Sequence, residues 1–324
     1  MPLLFVLAAA GVWSCSGGGY SGQVESVSVG DSTPLEANTL LYIADTQNFF
    51  KNNGLRVTIR HYDTGVAALD GMLKGDVDIA VPSEFGVVHY VLQKKNISIL
   101  TCWDKVQITA LIARKDRGIR EIADLKGKRI GLPRHTNAEF YLGRFFDLHR
   151  MSMGEVHLED GTLSHLVEAI IKGEIDAVVL WEPYRSQVEN RLGDKVIVWP
   201  AQSSQPAFCV AVGGKEWVST HPQIAERFLN SLAQAENYLN HHPAEVKTFI
   251  QRRLNYDKAY MEVIWPRQQF ALSLDQSLVT AMEDEARWMI GNKMTTEKQV
   301  PDFLGCIYED GLRAVKPEAV SIIR

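Results

Sequence analysis

Two stretches of the chain carry the same hydrophobic rhythm. Val66, Leu69, Met72 and Leu73 recur at helical spacing, and so do Leu163, Leu166, Val167, Ile170 and Ile171. Each stretch closes on a Lys-Gly pair, Lys74-Gly75 and Lys172-Gly173. Lysine in the last turn suits the helix dipole, and glycine takes the left-handed conformation that ends a helix. A short apolar run follows, Val77-Asp78-Ile79-Ala80-Val81 in one copy and Ile175-Asp176-Ala177-Val178-Val179 in the other. Such runs mark strands buried on both faces. Upstream, residues 55–60 and 156–159 alternate apolar and polar side chains as strands do. Each copy is therefore strand–helix–strand, the right-handed crossover of a parallel sheet. The copies stand about 98 residues apart, with Lys, Gly and the second Asp identical. They predict two α/β lobes of similar build.

Other segments extend the picture. Residues 97–100 and 108–112 read as strands ending lobe one. The polar Arg114-Lys115-Asp116-Arg117-Gly118 suits a crossing between lobes. Residues 122–131 then give a short helix, a Gly turn and a strand. Thr136-Asn137-Ala138-Glu139 has capping-box spacing and opens a helix to about residue 148. A late strand at 196–199 precedes a polar stretch with Pro206, the candidate second crossing, and residues 208–212 return to lobe one. The last third reads as helical. Thr220-His221-Pro222 starts a helix with Pro in its first turn, and Ala225, Phe228, Leu229, Leu232 and Leu239 line one face. Further helices start at Pro243 and span 278–290. The expected division is 25–114 plus 208–324 for lobe one and 115–207 for lobe two.

Composition narrows the class. The chain has 324 residues, 46% hydrophobic and 23% charged, which excludes disorder, collagen and a multi-span membrane protein. A net charge of −5 gives no support to a nucleic-acid surface. No Asp, Glu, Lys or Arg precedes Glu25, and residues 3–13 are an apolar run. That run is too short for a bilayer span of roughly 20 residues and suits the apolar region of a secretion signal. Val12-Trp13-Ser14-Cys15 resembles a bacterial lipoprotein processing site, though Trp13 stands where a small residue is usual and no positive residue precedes the run. The expectation is a signal peptide over 1–14, a tether over 15–24 and a lipid on Cys15. The alternative is a frayed core segment. Cys102, Cys209 and Cys306 form no CxxC and read as buried thiols, with one disulfide possible. His89 and His135 have no metal spacing, and no nucleophile elbow, P-loop or HExxH occurs. Neither cofactor nor metal is expected.

An ordered set of motifs resembles a family. Leu41-Tyr42-Ile43-Ala44 with Phe49-Phe50-Lys51-Asn52-Asn53-Gly54-Leu55 is similar to its opening. Gly75-Asp76-Val77-Asp78-Ile79-Ala80, Asp124-Leu125-Lys126-Gly127-Lys128 and Gly173-Glu174-Ile175-Asp176-Ala177 with Trp181-Glu182-Pro183 follow in its order. The family is the solute-binding proteins of ABC importers, of the nitrate, sulfonate, taurine and thiamine-pyrimidine-precursor type. The resemblance implies a two-lobed periplasmic-binding-protein-like α/β fold (type II) with two hinge crossings and the helical C-terminal third packed on lobe one. It also implies an exported, monomeric protein that hands a small solute to ABC permease and ATPase subunits. Lipid attachment would hold it at the membrane in the cell envelope.

Ligands in open α/β sheets lie beyond the carboxyl ends of the strands. That rule selects Thr64 and Gly65, Ser83 and Glu84, and Arg134, Thr136 and Asn137. Thr64, Gly65, Thr136 and Asn137 stand at helix starts, where an oxyanion is favoured. Arg134 would add a bidentate contact. Thr136 as a plain N-cap and Arg134 as a solvated side chain are the alternatives. The resemblance places Trp181 and Glu182 at the cleft, one as a stacking wall and one as an acceptor for an amine, amidine or aminopyrimidine edge. Alternatively, Glu182 bonds backbone amides of its own turn. Asn38 aligns with a ligand-facing family position. Two competing functions remain at this level. One is an enzyme on the same fold, of pyrimidine-precursor or menaquinone-pathway type, and the other is a ligand-sensing module of a signalling system.

Overall fold

The structure of the chain, a computed structural model, describes residues 20–32, 35–203 and 205–324. The expected signal peptide and the lipidation site Cys15 lie outside the described residues. Twelve strands are described: β1 (Glu25–Ser32), β2 (Leu55–Tyr62), β3 (Ile79–Val81), β4 (Ile97–Val106), β5 (Ala110–Arg114), β6 (Arg129–Leu132), β7 (His157–Asp160), β8 (Ala177–Leu180), β9 (Val196–Pro200), β10 (Ala207–Gly214), β11 (Gln268–Asp275) and β12 (Val320–Ser321). They form a sheet of order β12-β11-β4-β10-β3-β1-β2 and a second of order β7-β6-β8-β5-β9.

Both sheets share one plan. The first strand lies between the second and third and runs parallel to each, as β1 does to β2 and β3 and β6 does to β7 and β8. An antiparallel strand separates the third from the fourth, β10 in one sheet and β5 in the other. Each of these antiparallel strands is the one that arrives from the opposite lobe.

The helices Gly65–Lys74 and Leu163–Lys172 are the crossovers of the two strand–helix–strand units. Gly75 and Gly173 close them at φ of 82° and 76°. The identical second Asp of the repeat has a matched role. Asp78 Oδ2 accepts from the N–H and the hydroxyl of Ser28 on β1, both at 2.7 Å. Asp176 Oδ2 accepts from the Arg129 N–H on β6 at 2.9 Å. Each Asp N–H returns a bond to the carbonyl of the same partner residue. The carboxylates thus fasten the third strand of each sheet to the start of the first.

Two expectations need correction. The first crossing is 107–109, not 114–118, because β5 pairs antiparallel with β8 and β9 and so belongs to the second sheet. The lobe-one span of 25–114 therefore ends too late. The last third is also not purely helical. Beside the helices Pro222–His241, Pro243–Arg253 and Gln276–Gly291 it supplies β11, which pairs antiparallel with β4.

The lobes also touch away from the crossings. Phe140 of the lobe-two helix Asn137–Leu148 stacks on Phe85 at 5.8 Å and meets Trp288 edge-on at 5.5 Å. Gly143 makes the approach possible, since a Cβ there would stand 2.1 Å from the Trp288 ring.

Candidate functional site

A cavity of about 90 Å³ lies between the lobes. Lobe one contributes Ser32, Leu35, Ala37 and Asn38, the Thr64-Gly65-Val66 turn after β2, and the Val81-Pro82-Ser83 turn after β3. Lobe two contributes Thr136, Asn137 and Trp181. The first crossing adds Ile108 and Thr109, and the return strand adds Ala207 and Cys209. Most of these positions follow carboxyl ends of strands. No Asp, Glu, Lys, Arg or His stands among the described lining residues.

The polar groups of the wall are oriented by bonds behind it. Asn38 donates its amide nitrogen to Asp31 Oδ2 at 3.2 Å and turns it toward the Ser32 carbonyl. Asp31 is itself buried and is bonded by Tyr42 OH at 3.2 Å and His61 Nδ1 at 2.5 Å. Asn137 donates Nδ2 to Glu84 Oε2 at 3.1 Å. Each Asn thus spends its amide N–H on an acid. Thr136 spends its hydroxyl proton on the Pro133 carbonyl at 2.7 Å. Thr64 accepts from the Ala67 N–H at 3.2 Å and caps its helix, which keeps its own proton available.

Asn38, Thr64, Gly65, Ser83, Thr136, Asn137 and Trp181 are brought together on this wall. Three selected residues are not. Arg134 Nε lies 3.1 Å from Glu139 Oε1, so its charge is spent on the first turn of its own helix. Glu182 is buried and accepts the Ser186 N–H at 3.1 Å with Arg185 Nε at 3.8 Å; it caps a helix, the alternative weighed for it. Glu84 is fully buried behind the wall, where Oε2 also accepts the Phe208 N–H at 3.0 Å. It ties the β3 turn of lobe one to Asn137 of lobe two and to the return strand. The capping box expected at Thr136 is displaced by one residue. Glu139 Oε2 takes the His135 N–H at 2.9 Å, because His135 sits at φ 61° and turns its N–H toward the helix.

The sequence reading missed two buried acids. Glu36 and Asp104 are fully buried. Gln268 Nε2 donates to Glu36 Oε1 at 3.2 Å and Tyr256 OH to Glu36 Oε2 at 3.3 Å. The Gln269 N–H bonds Asp104 Oδ1 at 2.9 Å. Burial pushes the Glu36 carboxyl up to about 7, with Glu182 adding to the rise. Burial and then Glu36 hold Asp104 well above the usual carboxylate range. The Cys209 thiol on the cavity wall is also raised well above its ordinary value, by burial first and then by Asp104. The available signal was Asp104 itself, an acid inside the apolar run of β4.

The family described as NMT1/THI5 like matches residues 37–246. The taurine-binding periplasmic protein of Escherichia coli (strain K12) is 24% identical over 221 residues, 67% of each chain. The alkanesulfonate-binding protein SsuA from Xanthomonas axonopodis pv. citri, solved bound to MOPS, superposes with a TM-score of 0.76 at 14% identity, covering 89% of this chain and 99% of that one. The desulfurization enzyme DSZB superposes with a TM-score of 0.60 at 13% identity, covering 91% and 99%. The architecture is that of the periplasmic binding proteins, two α/β lobes about a cleft, and it is shared by binders and by at least one enzyme.

Proposed function

This chain belongs to the NMT1/THI5-like family, and from that premise we propose that it is the solute-binding component of an ABC importer. It captures a small solute in the cavity between its lobes. The observation that carries the reading is that cavity, walled from both lobes and from both crossing strands. Such a site is complete only when the lobes are together, which is the geometry of capture by hinge closure. Relatives named as binders of taurine and alkanesulfonates support the same reading. Asn38, Thr64, Gly65, Ser83, Thr136, Asn137 and Trp181 contact the solute. Export, a lipid on Cys15, a monomeric state and delivery to permease and ATPase subunits complete the proposal.

An enzyme on this fold is the second reading, favoured by the likeness to DSZB. The one thiol on the described wall is Cys209, and it is held protonated by burial and by Asp104. A reactive cysteine needs the opposite surroundings. The site is therefore better built to hold a solute than to attack one.

A thermal-shift screen of sulfonates, nitrate, taurine, aminopyrimidines and carboxylates tests the proposal. A true solute at 100 times its Kd adds about 2.7 kcal/mol to stability, and the melting temperature rises accordingly. Silence across the panel combined with turnover of any member would overturn the binding function.

A further inference from the structure

Three helices meet where the lobes touch: Glu84–Leu92 and Gln276–Gly291 of lobe one, and Asn137–Leu148 of lobe two. The rings of Phe85, Phe140 and Trp288 fill the contact. Beside them each helix brings in one ionisable group, Glu84, Glu285 and Tyr141, and all three are buried.

The hydrogen bonds of this cluster do not balance if both acids are ionised. Glu84 Oε2 accepts from Asn137 Nδ2 at 3.1 Å and from the Phe208 N–H at 3.0 Å. Glu84 Oε1 and both oxygens of Glu285 receive no donor, and the Tyr141 hydroxyl is also unpartnered. Among the described residues, neither acid forms an ion pair with Lys, Arg or His. The other groups that face them bring no positive charge. They are Asp284 on the helix of Glu285, Tyr141 from lobe two, and the Cys102 and Cys209 thiols on the Glu84 side. The two carboxyls are in hydrogen-bond contact with each other. Two carboxylates held together in a dry interior cannot both ionise, so one of them keeps its proton. A proton between Glu84 Oε1 and Glu285 gives both acids a partner and leaves Glu84 Oε2 to its two N–H donors. Burial raises both carboxyls, that of Glu84 to about 7.

We propose that Glu84 and Glu285 form a proton latch, sharing one proton while the lobes are together and releasing it to solvent when they part. Lobe two is the cover of the pair. Asn137 and Tyr141 belong to it, and Gly143 lets its helix close on Trp288. Parting the lobes breaks the Asn137 bond and admits water to the face that this helix covers. A hydrated carboxylate holds a proton less tightly than a buried one. Closure therefore takes up a proton. It is favoured below the value of the closed pair and weakens as pH rises through it. The cavity is complete only with the lobes together, so capture of a solute weakens in the same direction. That last step rests on the solute-binding reading; the latch does not.

Small-angle scattering and hydrogen exchange on the ligand-free chain at pH 6 and pH 8.5 provide the test. The expected result is a larger radius of gyration at pH 8.5. Exchange at residues 137–143, corrected for the intrinsic rate, should be at least tenfold faster there, while β1 and β3 keep their protection. Glu84→Gln and Glu285→Gln each put a permanent amide donor between the two side chains. Either should cut the tenfold response below threefold, with thermal melts confirming a folded chain. A wild-type chain with the same radius and corrected exchange at both pH values overturns the latch, and so does opening on acidification. Loss of protection throughout both sheets at pH 8.5 is unfolding rather than opening, and overturns it as well. A full response persisting in the folded variants overturns the assignment to these two acids. The wild-type comparison stands even if a variant fails to fold. No solute enters these measurements, so a failed latch leaves the solute-binding reading intact.

Discussion

Glu84 shows how a residue chosen for one role acquires another. It stands beyond a strand end, where ligands bind, but its side chain turns inward to hold Asn137 and the Phe208 amide. Its neighbour Glu285 is also fully buried, and neither Glu285 oxygen has a partner. Burial raises the Glu285 carboxyl well above its ordinary value, and Glu84 and Asp284 raise it further. A raised carboxyl means the folded chain holds a proton that the unfolded chain releases. That stability is fully present below the unfolded value near 4.5 and is lost as pH rises through the folded value. Glu285→Gln should therefore flatten the fall of melting temperature between pH 5 and pH 8, and at pH 8 stabilise by about 1–3 kcal/mol. An unchanged pH profile would place the loss elsewhere, with Glu36 the next candidate. Strand-end position was legible for Thr64, Ser83 and Asn137 because it follows from topology. The direction of a side chain was not, because Arg134, Glu84 and Glu182 answer to partners brought in from other segments.

At the level of elements, the repeat was the readable part. Its Lys-Gly helix ends and its buried strands come from local physics: a left-handed glycine, a dipole and an apolar run. The aligned Asp was legible as a shared feature but not as a bond, since its partner lies on a strand 50 residues away in one lobe and 47 in the other. Asp78→Ala leaves the Ser28 N–H and hydroxyl without their acceptor. The expected loss is about 1–3 kcal/mol of stability by denaturant unfolding, with Asp78→Asn less harmful because one oxygen remains. A melt unaffected by both changes would remove the Asp from the fastening of the sheet. Two elements were missed for a common reason. Residues 108–112 were seen as a strand, yet which sheet it joins depends on non-local pairing with β8 and β9. In β11, Gln268, Leu272 and Leu274 are buried in strand alternation, but flanking helical periodicity hid the pattern.

The whole molecule turns on how its two sheets are joined. Both crossings run side by side, and Gln202 fastens them together. Its Oε1 accepts the N–H groups of Ile108 at 2.5 Å and Thr109 at 2.7 Å. Its Nε2 donates to the Val106 and Gln205 carbonyls at 3.0 and 3.1 Å. One buried amide thus satisfies backbone groups on both segments that a hinge must use. Ile108 and Thr109 also line the cavity, so the hinge and the site share a wall. On the far contact, Phe85, Phe140 and Trp288 pack the lobes together, and Asn137 donates to Glu84 across the same contact at 3.1 Å. Rotation about the crossings therefore meets directional resistance at Gln202 and at the Glu84–Asn137 bond. Gln202→Ala strips two buried N–H groups of their acceptor and should cost about 2–5 kcal/mol. Its diagnostic effect is local. Hydrogen exchange should quicken at 107–109 and 201–206, while the β6 and β8 amides keep their protection. Solute affinity should fall with it, because a looser hinge populates the closed cavity less. Uniform loss of protection across both sheets would instead make Gln202 a general stabiliser and leave the hinge unassigned.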